Sequence, residues 1–196
     1  MLISRTVHRP VWPLILAGLV MTGAGAGACR ADAYRFDSSH TVASFRCGPF
    51  GFGPQSGRVT GAHGAIVFDP AHPGDSEVEV SLDMTTLHTD WRAFDGRVRG
   101  PDFLDVGHFP TARFKSRRVA ITGDGTAEVT GDLTLHGVTR EVTMAVVVRR
   151  SPAHADDLGF SAHAQIHRSD FGIDGSSPLL NDTIDLRIEA QAAPSS

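Results

Sequence analysis

Apolar and polar side chains alternate with a period of two over most of this chain. Val78, Val80, Leu82 and Met84 alternate with Glu79, Ser81 and Asp83. Val142, Met144, Val146 and Val148 alternate with Thr143, Ala145 and Val147, and Ile184, Leu186 and Ile188 with Asp185, Arg187 and Glu189. Shorter alternations run through Ala43, Phe45 and Cys47, through Ala112 and Phe114, and through Phe160, Ala162, Ala164 and Ile166. Successive side chains of a strand point to opposite faces, so each apolar set lies on one face of a half-buried strand. Turn signals separate these runs: Asp69-Pro70, His72-Pro73-Gly74, Gly123-Asp124-Gly125 and His136-Gly137. The pattern predicts eight strands, at 34–47, 57–69, 76–89, 111–121, 126–135, 139–150, 158–168 and 182–191. Regular strands joined by tight turns predict an all-β fold, an antiparallel barrel or sandwich.

Residues 90–109 break the alternation. Asp90 suits a helix N-cap, and Trp91, Phe94 and Val98 then fall on one face of a short helix that Pro101 ends. Phe103, Leu104, Val106 and Phe109 follow in a loop with too much apolar surface to be fully solvated. The segment is expected to pack over one end or side of the barrel.

An eight-stranded barrel has an interior that side chains just fill, or that holds one small molecule. Several inward positions carry small residues: Ala43, Cys47, Val59, Ala112, Ala162 and Ala164. The larger ones, Phe45, Leu82, Met84, Phe114, Met144, Phe160 and Ile166, are the candidate lining of an apolar lumen. Such a lumen suits an apolar chain, whose burial is worth about 0.8 kcal/mol per methylene. Alternation alone does not distinguish a dry core from a pocket, and on pattern alone a packed core is the favoured reading.

Charge and composition narrow the partners. The 196 residues carry a formal net charge of −4, and without residues 1–33, which hold Arg5, Arg9 and Arg30 against Asp32, the balance falls to −6. A chain of that balance is a poor candidate for sequence-independent nucleic-acid binding, which needs a basic face. Arg5 and Arg9 precede the apolar run 11–28, whose second half is Gly, Ala and Thr, too weakly hydrophobic for a spanning helix. This reads as a secretory signal over 1–33, with cleavage after Ala31-Asp32-Ala33 and before Tyr34. Ala26-Gly27-Ala28-Cys29 is a loose lipoprotein signal and the alternative processing site. The expected mature chain is a barrel over 34–191 with a tail at 192–196, periplasmic or secreted. Its one cysteine, Cys47, reads as a small apolar filler with no disulfide partner.

No catalytic constellation is visible. His163 and His167 lie about 13 Å apart along a strand, too far to share one metal ion. Gly175-Ser176-Ser177-Pro178 lacks the second glycine of a nucleophile elbow. Gly51, Gly53 and Gly57 do not make the dinucleotide fingerprint. Asp37 and His40 are read as organising the first strand. No cofactor, metal or covalent chemistry is expected. Arg92, Arg97 and Arg99 lie beside the apolar face of the 90–109 segment and are the head-group candidates, since guanidinium suits phosphate and carbonyl oxygens.

Several ordered motifs resemble one family. Asp37-Ser38-Ser39-His40-Thr41 is similar to an Asp-x-x-His-Ser start, and Gly64-Ala65-Ile66-Val67-Phe68-Asp69 to a Gly-x-Ile-x-Phe-Asp strand end. Asp95, Val98, Pro101-Asp102-Phe103, Asp105 and Pro110 follow a central acidic and aromatic pattern closed by Phe114-Lys115-Ser116. Gly131-Asp132-Leu133-Thr134 with Gly137-Val138-Thr139-Arg140, and Arg168-Ser169-Asp170-Phe171-Gly172, complete the set. Together, over about 34–190, these resemble the bacterial YceI-like family of polyisoprenoid-binding proteins. The chain departs from that pattern at Arg97-Val98, at Leu104 and at Cys47-Gly48-Pro49. The resemblance implies an extended lipocalin-like antiparallel barrel, exported, that sequesters or carries a polyisoprenoid or similar amphiphilic lipid such as a quinone or prenyl phosphate. It brings with it transient membrane contact and leaves a dimer open. The alternative from another class is an exported stress-response or interaction protein with a packed barrel and no internal ligand.

Overall fold

A computed structural model describes residues 32–50, 53–69, 72–150, 156–174 and 181–195. The signal-peptide and lipoprotein expectations fall almost wholly on residues 1–31, outside this set. The described strands are β1 (Asp32–Phe36), β2 (Val42–Phe50), β3 (Gly53–Val59), β4 (Ala62–Phe68), β5 (Glu77–Asp83), β6 (His88–Thr89), β7 (Thr111–Gly123), β8 (Thr126–Leu135), β9 (Val138–Arg150), β10 (Leu158–His167) and β11 (Thr183–Pro194). One short α-helix, α1, spans Arg92–Arg99.

These segments form eight staves. β1 and β2 lie end to end along β11, through Phe36↔Ala192 and through Cys47↔Ile184 to Val42↔Glu189. On their other side they meet β4 and β3, again end to end. β4 and β3 in turn meet β5 and β6. From β5 the ladder runs through β7, β8, β9 and β10 to β11, where the ring closes, and every pairing is antiparallel. The fold is the closed eight-stranded barrel that the alternation predicts. One boundary is corrected: Ala192 is fully buried and pairs with Phe36 and Leu158, so the expected tail is strand through Pro194.

Local hydrogen bonds break the first three staves. The Asp37 carboxylate accepts from Ser39 N (2.9 Å), Ser39 Oγ (2.6 Å) and His40 Nδ1 (2.6 Å), which lifts residues 37–41 out of the ladder. These bonds, the Ser39 hydroxyl foremost, hold that carboxyl well below the usual range. Asp83 accepts from Thr85 N (2.9 Å) and Thr85 Oγ (2.6 Å) and starts the 3₁₀ turn Met84–Thr86 between β5 and β6. Gly61, at φ 75°, turns the chain between β3 and β4. His136 and Gly137, at φ 51° and 73°, supply the two left-handed residues that a tight β8–β9 hairpin needs.

Two apolar clusters fill much of the barrel. One gathers Phe103, Phe114, Val129, Leu133, Val142, Met144, Ala164, Ile166, Phe171 and Ile173. The other gathers Val59, Met84, Leu87, Val98, Val106 and Ala112, with Phe45 and Phe94 packed against it. Phe45 lies over Gly57, its cross-strand partner: a Cβ at Gly57 would come 2.5 Å from the ring. Phe114 covers Gly131 in the same way. A glycine beneath each ring lets it lie along the wall.

Candidate functional site

Between the two clusters lies a cavity of about 160 Å³, bordered by residues of both. Apolar cavities of about 150 Å³ admit a benzene-sized guest. Phe45, Leu82, Met84 and Ile166 line it, together with the small residues Ala43, Cys47, Val59 and Ala112. Leu87, Phe94, Val98, Phe103 and Leu104 close one side, beneath α1. Ile184 and Leu186 of β11 face them alongside Ile173.

Three expected lining residues lie elsewhere. Phe114 and Met144 are buried in the first cluster and do not border the cavity. Alternation gives the side of the wall a residue faces, not its height along the barrel, and these two face inward where the interior is packed solid. Phe160 is half-buried at a different height, its ring edge-on to Phe36 with centroids 6.4 Å apart. The pattern thus placed four of seven at the cavity. The lumen is a compact chamber between packed clusters rather than an open bore through the molecule.

The head-group candidates also stand apart from the cavity. Arg92 is exposed on α1. Arg97 sits over the Phe103 ring, 5.8 Å from its centroid. Arg99 donates to the carbonyls of Asp95 and Thr85, at 3.4 Å each. Asp90 does not cap α1; its carboxylate accepts from Ser56 Oγ, and Trp91 takes the N-cap position. Trp91 is 53% exposed, stacked on Phe94 at 6.1 Å, and Phe94 meets Phe103 edge-on at 6.2 Å. An aromatic series therefore runs from the surface to the cavity wall.

What anchors α1 is Asp95, only 5% exposed. Its Oδ1 accepts from Thr89 N (2.7 Å) and Thr89 Oγ (2.6 Å), and Oδ2 pairs with His88 Nδ1 (3.2 Å). The Thr89 hydroxyl and N–H, opposed by burial and helped by His88, lower its pKa from 3.8 to about 2. Thr89 itself lines the cavity, so this carboxylate fixes both the helix and the wall below it.

At the opposite end the border residues include polar side chains, though the surface they present to the cavity is almost wholly apolar. Cys47 pairs with Gln55 on one side and Ile184 on the other, and Ile184 pairs with Ile166. Gln55, Arg168 and Asn181 border the cavity here. Cys47 is free and 8% exposed, with Sγ 3.7 Å from the Gln55 carbonyl; burial pushes its thiol pKa up, against the opposing charge of Arg168. A raised thiol makes a poor nucleophile, in keeping with a filler. Arg168, outside the expected lining set, continues the parity of Ala162, Ala164 and Ile166 by one more step.

The motif that contains Arg168 folds into a 3₁₀ turn, Arg168–Phe171, closed by Gly172 at φ 66°. Asp182 accepts from Ser169 N (2.9 Å) and Ser169 Oγ (2.8 Å). Phe171, 1% exposed, plugs the first cluster, and its carbonyl accepts from His136 Nδ1 (3.1 Å). Among the described residues, no group of three or more His, Cys, Asp or Glu is placed to hold a metal ion.

Fold and site together define a class: a lipocalin-like antiparallel barrel with an apolar internal chamber. Residues 34–192 match the YceI-like domain, and the chain belongs to the YceI-like family. A UPF0312 protein of Pseudomonas savastanoi pv. phaseolicola is 34% identical over 168 residues, covering 83% of this chain and 87% of its own. One from Pseudomonas putida W619 is 33% identical over 171 residues, covering 85% and 88%. Among solved structures, Burkholderia cenocepacia BcnA has a TM-score of 0.73 at 22% identity, over 81% of this chain and 99% of that one. A polyisoprenoid binding domain from Saccharophagus degradans, implicated in plant cell wall breakdown, has a TM-score of 0.65 at 15% identity, over 84% and 99%. At these identities the two structures establish a shared fold.

Proposed function

We propose that this protein is an exported carrier or sequestering protein for an amphiphilic lipid, a polyisoprenoid or a close physical equivalent, and performs no covalent chemistry. The observation that carries this reading is the chamber of about 160 Å³ walled by Phe45, Leu82, Met84, Leu87, Val98 and Ile166. A natural core is packed to crystal-like density and retains few voids larger than a water molecule. A chamber of this size and lining favours an apolar guest over water. The name carried by the Saccharophagus neighbour supports a polyisoprenoid as the guest class. The chamber as it stands accommodates a short segment of chain, so longer guests require its walls to yield, and Met84 is an adaptable wall residue.

Loading, in this reading, occurs at a membrane surface through Trp91, whose half-exposed ring stacks on a chamber residue. Indole rings favour the membrane–water interface. Native mass spectrometry after mild purification tests the whole reading. A lipid adduct, or uptake of an added prenyl lipid at one equivalent, is expected. Protein that stays empty in both arms overturns it in favour of a packed barrel acting through its outer surface.

A further inference from the structure

The ladder of the barrel wall parts at two places near the chamber. Below His163↔Ala145, β9 and β10 separate, and Phe171 plugs that gap as part of the first cluster. The β5–β7 ladder ends at Asp83↔Thr111, with one further bond from Met84 N to the Pro110 carbonyl at 2.8 Å. Below it β6 pairs with β3 alone, and residues 90–109 stand where a stave would continue. Phe94, Val98, Phe103 and Leu104 of that segment are the chamber wall here. Among the described residues, every backbone–backbone hydrogen bond of residues 91–109 stays within the segment, as from Leu104 N to the Val98 carbonyl (3.1 Å) and from Val106 N to the Arg99 carbonyl (3.0 Å). It is a unit folded on itself. Its polar ties to the barrel run through side chains. The Thr89 hydroxyl donates to the Trp91 carbonyl (2.8 Å) where the chain enters, and Arg99 reaches the Thr85 carbonyl at only 3.4 Å. The strongest tie is the Asp95 carboxylate, held by Thr89 N, Thr89 Oγ and His88. A Cβ at Gly96 would meet nothing within 4 Å, so the outer side of α1 is uncovered there.

We propose that residues 90–109 form a lateral door to the chamber and that Asp95 is its latch. A laddered wall opens only by breaking rows of backbone bonds. The door swings as a body about its two ends, at Asp90 and Pro110, once the carboxylate lets go of Thr89 and His88. Opening uncovers Val98 and Val106, which are buried when it is shut, so the closed state predominates and the latch sets how often a guest passes. The exposed Trp91 ring then lies at the edge of the entrance. This rests on the lipid-carrier reading and adds to it a route and a rate control. The competing role for Asp95 is purely structural, as a permanent support of the wall.

Stopped-flow fluorescence on delipidated full-length protein separates the two, with the apolar dye N-phenyl-1-naphthylamine as the guest. A gate acts on passage in both directions. Asp95→Asn should therefore raise the association and dissociation rates together, each about tenfold or more, the range of a lost hydrogen bond to a charged group. Kd should stay within about twofold, because the open state is a minor one with or without the guest. Faster dissociation alone, with weaker binding, makes Asp95 a support of the wall and overturns the proposal. Unchanged rates overturn it as well and leave the carrier reading intact; wild type that takes up no dye defeats both. Should Asp95→Asn not fold, amide hydrogen exchange on wild type decides. The Thr89 N–H, bonded to Asp95 Oδ1, should exchange faster than the ladder amides of β8 and β9, and slow when dye is bound. Equal protection at Thr89 and in that ladder would mean that the segment opens only when the whole barrel unfolds, which contradicts the door.

Discussion

At the residue scale, a few polar contacts fix an otherwise apolar architecture. Asp95 is the clearest case, a buried carboxylate tying α1 to the strand carrying Thr89. Its folded pKa is about 2, against 3.8 when free. A depressed carboxyl contributes stability that is fully present above the unfolded value and is lost as pH falls through the folded one. Asp95→Asn should therefore lower the melting temperature at pH 7. The gap to wild type should persist down to about pH 4 and close toward about pH 2. Thermal melts across that range check this, and a gap independent of pH would show that the charge contributes nothing. The lining residues teach a related lesson. Phe45, Leu82, Met84 and Ile166 border the chamber, while Phe114 and Met144 share their parity but meet packed neighbours. Sequence parity contains no coordinate along the barrel axis, so the height of the void had to come from three-dimensional packing. Arg168 continues the parity of Ile166, but a charged residue at a strand end reads equally as a turn former, so parity alone does not mark it as a border residue of the cavity.

At the element scale, the period of two revealed every stave but not the breaks within three of them. Residues 37–41 and 84–87 leave the ladder because Asp37 and Asp83 offer side-chain acceptors to residues just beyond, a competition that hydrophobic patterning does not register. The helix was legible from Trp91, Phe94 and Val98, but its cap was not, because Asp90 is engaged by Ser56 across from β3. Two elements make predictions of different kinds. The 168–171 turn buries Phe171 in the first cluster, so Phe171→Ala should cost about 3–5 kcal/mol in denaturant unfolding. A loss under about 1 kcal/mol would mean the cluster repacks around the gap. Trp91 is half exposed, so Trp91→Ala should change stability by no more than about 0.5 kcal/mol. It should nonetheless slow lipid uptake from vesicles in stopped-flow experiments while leaving equilibrium affinity unchanged. Unaltered uptake kinetics would remove Trp91 from the loading route.

At the scale of the whole molecule, closure is what makes a binding chamber compatible with stability. Closure pairs every described strand on both sides except the two-residue β6, which pairs with β3 alone, and the two packed clusters supply hydrophobic stabilisation on either side of the void. The wall is therefore fixed by its ladder and by the Asp95 tether of α1, with Met84 as the adaptable residue of its lining. The central claim is that this void is a hydrocarbon site. Calorimetric titration of delipidated protein with n-alkanols of increasing length tests it most directly. Affinity is expected to rise about fourfold per added methylene, the equivalent of about 0.8 kcal/mol, and to level off once the chamber is filled. Absence of binding, or affinity that does not change with chain length, would contradict the account.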